Sequence, residues 1–171
     1  AMLTATLIGR GEVGELVRRR GALRGEAVYV TGQLGLAKAG LHVLQTSGIP
    51  EKEDPRMSLV AALTDPKPRV PAGRAIARGR LAHAMCDVSA GLGQDLRRLL
   101  VPEGLGARLD AGRLPTPRAL EVFCTERGLS AAWFALEGGE DYGLLFTGER
   151  RDETAIVDAC AAVGTPVARI G

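Results

Sequence analysis

Glu26-Ala27-Val28-Tyr29-Val30-Thr31-Gly32-Gln33-Leu34-Gly35-Leu36-Ala37 is the stretch whose reading decides the fold. Residues 26–31 are β-branched, aromatic and apolar, a composition that suits a pleated strand, and Gly32 closes the run. Leu34, Ala37, Leu41 and Leu44 then recur at spacings of three and four, which is one face of an amphipathic helix. Gly48 and Pro50 stop that helix. A strand that feeds a helix with an apolar stripe belongs to a layered domain, in which each element buries one face against another.

The same alternation continues outward. Toward the N-terminus, residues 3–8 read as a strand, followed by the breakers Gly11 and Gly14. Toward the C-terminus, residues 51–56 are polar and proline-flanked and read as a surface loop, and 57–64 as a short helix ended by Asp65-Pro66-Lys67-Pro68. A further helix begins near Pro71, where proline suits the first turn. Residues 83–88 read as a strand, 91–100 as a helix with Leu92, Leu96 and Leu99 inward, 106–110 as a weak strand, and 117–127 as a helix. Residues 142–147 read as a strand, 152–163 as a helix and 167–170 as a last strand that runs into the chain end. Interleaved strands and helices predict an α/β or α+β class, a layered α/β/α domain on a mixed sheet, with residues 1–171 forming one domain.

With 171 residues, 46% hydrophobic and 25% charged, the chain has globular composition and enough apolar material for a core. A net charge of +2 argues against a dedicated nucleic-acid binder. Lysine stands only at Lys38, Lys52 and Lys67, so the cations are nearly all arginine. No window reaches the ~18 apolar residues of a membrane helix, and the N-terminus lacks the apolar core of a signal peptide. Cys86, Cys124 and Cys160 have no metal-site or redox spacing and read as buried thiols in a reducing cytoplasm. Ala1 before Met2 reads as an added residue.

Three clusters carry chemistry. Gly138-Gly139-Glu140-Asp141-Tyr142 precedes an apolar strand; its glycines permit positive φ and close backbone approach, and its acids are either a site at the mouth of a sheet or a tight turn in solvent. Asp87-Val88-Ser89-Ala90-Gly91-Leu92 follows a strand and opens a helix, so Asp87 or Ser89 is an N-cap or part of a phosphate and Mg²⁺ site. Arg18-Arg19-Arg20 is a solvated run or a phosphate clamp. His42 and His83 have no partners in pattern, Trp133 and Phe134 read as core, and no Walker-type loop is present.

In order and spacing these clusters resemble a known family. Arg-Arg-Gly-Ala, Gly-Glu-Ala-Val-Tyr-Val-Thr-Gly-Gln-Leu-Gly with Ala39-Gly40-Leu41, Pro68-Arg69, Asp87-Val88-Ser89-Ala90-Gly91-Leu92 with Asp95-Leu96, and Gly-Gly-Glu-Asp-Tyr-Gly-Leu-Leu-Phe are similar to the C-terminal domain of the thiamine-monophosphate kinase family. That superfamily also holds aminoimidazole ribonucleotide synthase, selenide water dikinase and a hydrogenase maturation factor. The resemblance runs from about residue 3 to 171. It implies an ATP-dependent, Mg²⁺-assisted transfer of phosphoryl to thiamine phosphate in a cytoplasmic homodimer. It implies Arg19 and Ser89 on ATP, Asp87 on metal and Glu140 at the substrate end. It implies, too, an N-terminal domain and a short C-terminal tail beyond this chain, without which the domain is inactive.

Three positions depart from the family pattern: Ala90, Leu36 and Gly143 stand where the family favours acids. Alanine cannot ligate a cation, so the resemblance also admits a degenerate, non-catalytic ligand-binding member, or another enzyme of the superfamily.

Overall fold

The computed structural model describes residue 2, residues 4–12 and residues 14–171. Four strands form one sheet in the order β2-β3-β1-β4: β1 Ala27–Thr31, β2 Ala84–Asp87, β3 Leu144–Gly148 and β4 Val167–Arg169. The described residues hold seven α-helices: α1 Leu36–Ser47, α2 Met57–Thr64, α3 Val70–Arg78, α4 Leu92–Leu100, α5 Arg118–Glu126, α6 Ala131–Glu137 and α7 Glu153–Ala161. The strand pairs are all antiparallel. The parallel component is a single bridge between Arg18 and Ala84, where Met85 N–H donates to Arg18 O at 2.9 Å.

Alternation along β1 explains the layers, because successive side chains leave opposite faces of a strand. Val28 and Val30 join Leu145 and Ala84 under Leu92, Leu96 and Leu99 of α4. Ala27 and Tyr29 join Phe146 on the other face, under Ala72 and Ile76 of α3 and Ile156 and Cys160 of α7. Tyr29 and Phe146 face each other across the β1–β3 ladder and stack at 5.3 Å, an arrangement worth about 1 kcal/mol beyond the area it buries. A third core, with Ala39, Val43, Leu59, Leu120, Phe123 and Phe134, joins α1, α2, α5 and α6.

Two expected strands are not formed. Leu3 lies outside the described residues, and Thr4–Ile8 take no regular structure, with Leu7 97% and Ile8 95% exposed. β-propensity expresses itself through cross-strand packing, and this segment has no partner strand among the described residues. Residues 106–110 form no strand either, although Asp110 N–H still donates to Ile170 O at 2.8 Å. Helix α6 was not foreseen; its signal was Ser130, whose hydroxyl caps the Trp133 N–H at 3.3 Å. Trp133 is not core: it is 56% exposed, with Lys38 Nζ 5.8 Å from its ring centroid. The cysteines are free, with Cys124 and Cys160 buried.

Gly40 marks the tightest helix crossing. A Cβ there would press into the Leu59 carbonyl oxygen of α2 and stand 2.7 Å from its carbon and 3.0 Å from Val60 Cα. In an open helix, Gly→Ala gains about 1 kcal/mol of propensity. Overpacking backbone against backbone costs about 1–3 kcal/mol and should win here. Gly40→Ala is therefore expected to lower unfolding free energy by up to about 2 kcal/mol in urea titration, and Gly48→Ala is unsuitable as a control because Gly48 has φ +72°.

Candidate functional site at the end of the β2–β3 pair

The β2–β3 ladder continues past its regular residues, and that continuation builds the site. Val88 N–H donates to Gly143 O at 2.8 Å, Tyr142 N–H to Val88 O at 2.9 Å, and Glu140 N–H to Ser89 O at 3.0 Å. Two of the predicted clusters, 87–92 and 138–142, are thereby laid side by side. Asp87, the last residue of β2, is exposed and has no ion pair among the described residues. Ser89 is half-buried beside it. Glu140 is exposed and its carboxylate accepts the Tyr142 hydroxyl at 3.0 Å. Arg19 is exposed near the outer edge of β2. Burial pushes the Cys86 thiol up to about 12, and the charges acting on it include Asp95, Arg19, Asp87 and Arg98. Cys86 is thereby held as an unreactive thiol.

The structure reassigns the caps. Neither Asp87 nor Ser89 caps α4; the N-cap is Gly91 at φ +109°, and the side chain of Asp95 reaches back instead. Its Oδ2 accepts N–H bonds from Ser89 at 3.0 Å and Ala90 at 2.8 Å, and its Oδ1 pairs with Arg98 at 3.0 Å. Asp95 is 4% exposed and fully engaged, so it is a support for the loop rather than a free ligand. Its position in the first turn of α4 was the available signal.

The two adjacent acids also separate. Asp141 turns inward and accepts N–H bonds from Gly35 at 2.7 Å and Ala37 at 3.2 Å, so it caps α1 from a distant part of the chain. The positive φ angles fall on Glu140 (66°) and Tyr142 (49°), not on the glycines before them. Gly138 and Gly139 serve close approach: a Cβ on Gly139 would press into Ser89 O. Non-glycine residues held at positive φ carry strain, and such strain gathers where a side chain must be aimed.

The departures have structural counterparts. Leu36 packs against the third core, and a Cβ on Gly143 would press into Thr31 O, so this backbone leaves little room for a side chain there. A cavity of about 310 Å³ adjoins the site and includes Asp87 and Tyr142 in its lining. Among the described residues there is no cluster of three or more metal-ligating side chains. Magnesium commonly takes one or two protein carboxylates with substrate phosphates and water, so Asp87 fits as a single protein ligand.

The fold is that of an AIR-synthase-type C-terminal domain. Residues 24–171 match the family described as AIR synthase related protein, C-terminal domain, and the chain belongs to that family. It is homologous to the C-terminal half of thiamine-monophosphate kinase. Against the thiamine-monophosphate kinase of Salmonella typhimurium it is 35% identical over 169 residues, covering 99% of this chain and 51% of that protein. The crystal structure of thiamine-monophosphate kinase from Stenotrophomonas maltophilia K279a superposes with a TM-score of 0.84 at 32% identity, over 93% of this chain and 50% of that one. AaThiL complexed with AMPPCP and TMP superposes with a TM-score of 0.76 at 29% identity, over 91% and 47% of the two chains. The chain spans about half the length of the curated relatives it matches.

Burial pushes the Asp141 carboxyl up to about 6, outweighing the two backbone N–H groups that favour its charge. The folded chain then holds a proton that the unfolded chain releases near pH 4. This contribution to stability is full below about pH 4 and is lost as pH rises through about 6. Asp141→Asn has no such titration, so its stability relative to wild type should improve between pH 4 and 7, on the order of 2 kcal/mol. Denaturation midpoints across that range check it; a flat difference would show an unperturbed carboxyl.

Proposed function

We propose that this chain supplies the C-terminal half of an ATP-dependent kinase that phosphorylates thiamine phosphate to thiamine diphosphate. The observation that carries the reading is the Glu140–Ser89 backbone bond at 3.0 Å, which sets the residue expected at the substrate end beside the residues expected on nucleotide and metal. The homology to thiamine-monophosphate kinase over 99% of the chain supports the choice of substrate. In this reading Arg19 and Ser89 contact ATP, Asp87 holds Mg²⁺ and Glu140 orients thiamine phosphate. Both reactants are anionic, and a bound magnesium ion would screen their repulsion. The chain's own residues position: Arg19 offers a planar fork of donors to phosphate oxygens, and the Ser89 hydroxyl makes no hydrogen bond to described residues and is available as a donor.

The rest of the site would come from an N-terminal half such as the relatives' extra length provides, in a cytoplasmic homodimer. Among the described residues no helix is long and apolar enough to cross a membrane. Asp95 and Asp141 are committed to backbone N–H groups, which leaves Asp87 and Glu140, the latter bonded to the Tyr142 hydroxyl, as the acids of this site that hold no backbone N–H. That count favours no turnover by the chain alone. Ala90 favours a second reading, a non-catalytic ligand-binding member.

The test is thiamine diphosphate formation from Mg²⁺-ATP and thiamine phosphate. The chain alone is expected to give none above background. Joined to an N-terminal half, the wild type is expected to turn over slowly, and Ala90→Asp to raise the rate by up to about a hundredfold and to change its Mg²⁺ dependence. Turnover by the chain alone contradicts the half-site reading. Silence of both joined proteins favours the non-catalytic one.

A further inference from the structure

Arg69, in the Pro68-Arg69 pair, has no part in the assignments above. Two buried side-chain polar atoms among the described residues lack a hydrogen-bond partner, and Arg69 Nε is one of them; the other, Tyr29 Oη, lies within the sheet core. The Arg69 guanidinium has no ion pair among the described residues, whereas its neighbour Lys67 is paired with Asp65. It lies over the backbone just beyond β1: Nη2 is 3.1 Å and Nε 3.4 Å from where a Cβ on Gly32 would stand. A buried donor with no acceptor is costly, and in a folded protein such a group calls for an explanation, of which a bound acceptor is one.

The cavity of about 310 Å³ opens beside Arg69, and its lining is otherwise mostly apolar, with Pro66, Pro68, Val70 and Leu144. Its charged residues are Arg69 and Asp87, with no ion pair between them, and Tyr142 ties it to Glu140 through the 3.0 Å hydroxyl bond. Apolar walls lower the local dielectric and strengthen whatever charge pairing occurs inside. A bare anion entering there would meet the Asp87 carboxylate. A phosphate accompanied by a divalent cation satisfies both groups: the cation faces Asp87, and the oxygens face the planar donor fork of arginine.

We propose that Arg69 is a phosphate-binding residue of this cavity, donating to oxygens of a phosphate chain whose cation is held at Asp87. The proposal rests on the reading of Asp87 given above, and its test separates the two. Calorimetric binding of inorganic tripolyphosphate with Mg²⁺ is measured for wild type, Arg69→Gln, Arg69→Lys and Asp87→Asn, each first checked for an unchanged urea midpoint. Arg69→Gln should weaken binding at least about tenfold, and Arg69→Lys should recover part of the loss because the charge remains without the fork. Loss in Asp87→Asn but not in Arg69→Gln overturns the Arg69 assignment and leaves the metal reading standing. Loss in Arg69→Gln but not in Asp87→Asn supports Arg69 and overturns the metal reading. No loss in either, or no binding by wild type, overturns both. Should the variants fail to fold, phenylglyoxal modification of the wild type decides: Mg²⁺-tripolyphosphate should slow modification of Arg69 in mapped peptides, and an unchanged rate overturns the proposal.

Discussion

Asp141 turns away from solvent and bonds the first N–H groups of α1, at 2.7 Å from Gly35 and 3.2 Å from Ala37, so the loop before β3 and the start of α1 are one body. Helix starts leave backbone donors unsatisfied, and here no residue next to the helix supplies a side-chain cap. The acceptor comes from about a hundred residues away in the chain, which makes it a tertiary tie as well as a local one. From that anchor the neighbouring residues are placed in turn. Glu140 and Tyr142 are held at positive φ on either side of it, and their N–H groups bond Ser89 and Val88. Asp95 fixes the same loop from the α4 side. The candidate ligands Asp87, Ser89 and Glu140 sit on backbone that the buried Asp95 and the half-buried Asp141 have already positioned.

The layers were legible because they depend on period. The β-branched, apolar run at 26–31 and the three-and-four spacing in α1 and α4 need only local pattern, and the strand and both helices form there. The unformed strand at Thr4–Ile8 shows the limit: β-branched residues make a strand only where another strand receives them. The site was half legible. The clusters around Asp87 and Glu140 stood out by composition, and the structure brings them together. What composition could not tell was which acids face water. Asp141 and Glu140 are neighbours with opposite fates, and Asp95 lies in an ordinary helix pattern, because these roles are decided by backbone donors remote in sequence. Arg69 was visible as a motif, but its unpartnered Nε is a fact of packing.

The chemistry that remains open to this chain follows from the same division. Asp95 and Asp141 spend their carboxyl groups on backbone N–H groups, so in the kinase reading proposed above this chain offers the centre few acids of its own. The chain spans about half the length of the curated relatives it matches, which agrees with that proposal. Ala90 sits where its N–H is already bound by Asp95, so an acid introduced there would start from a fixed backbone rather than a floppy loop.

The most direct test of the central claim is amide hydrogen exchange in wild type and Asp141→Ala. If Asp141 holds the site together, the amides of Gly35, Ala37, Glu140 and Tyr142 should lose protection together, while Leu145, deep in the β2–β3 and β1–β3 ladders, keeps its own. Loss of protection confined to Gly35 and Ala37, with Glu140 and Tyr142 unchanged, would show that Asp141 is only a helix cap and that the site is held by other contacts.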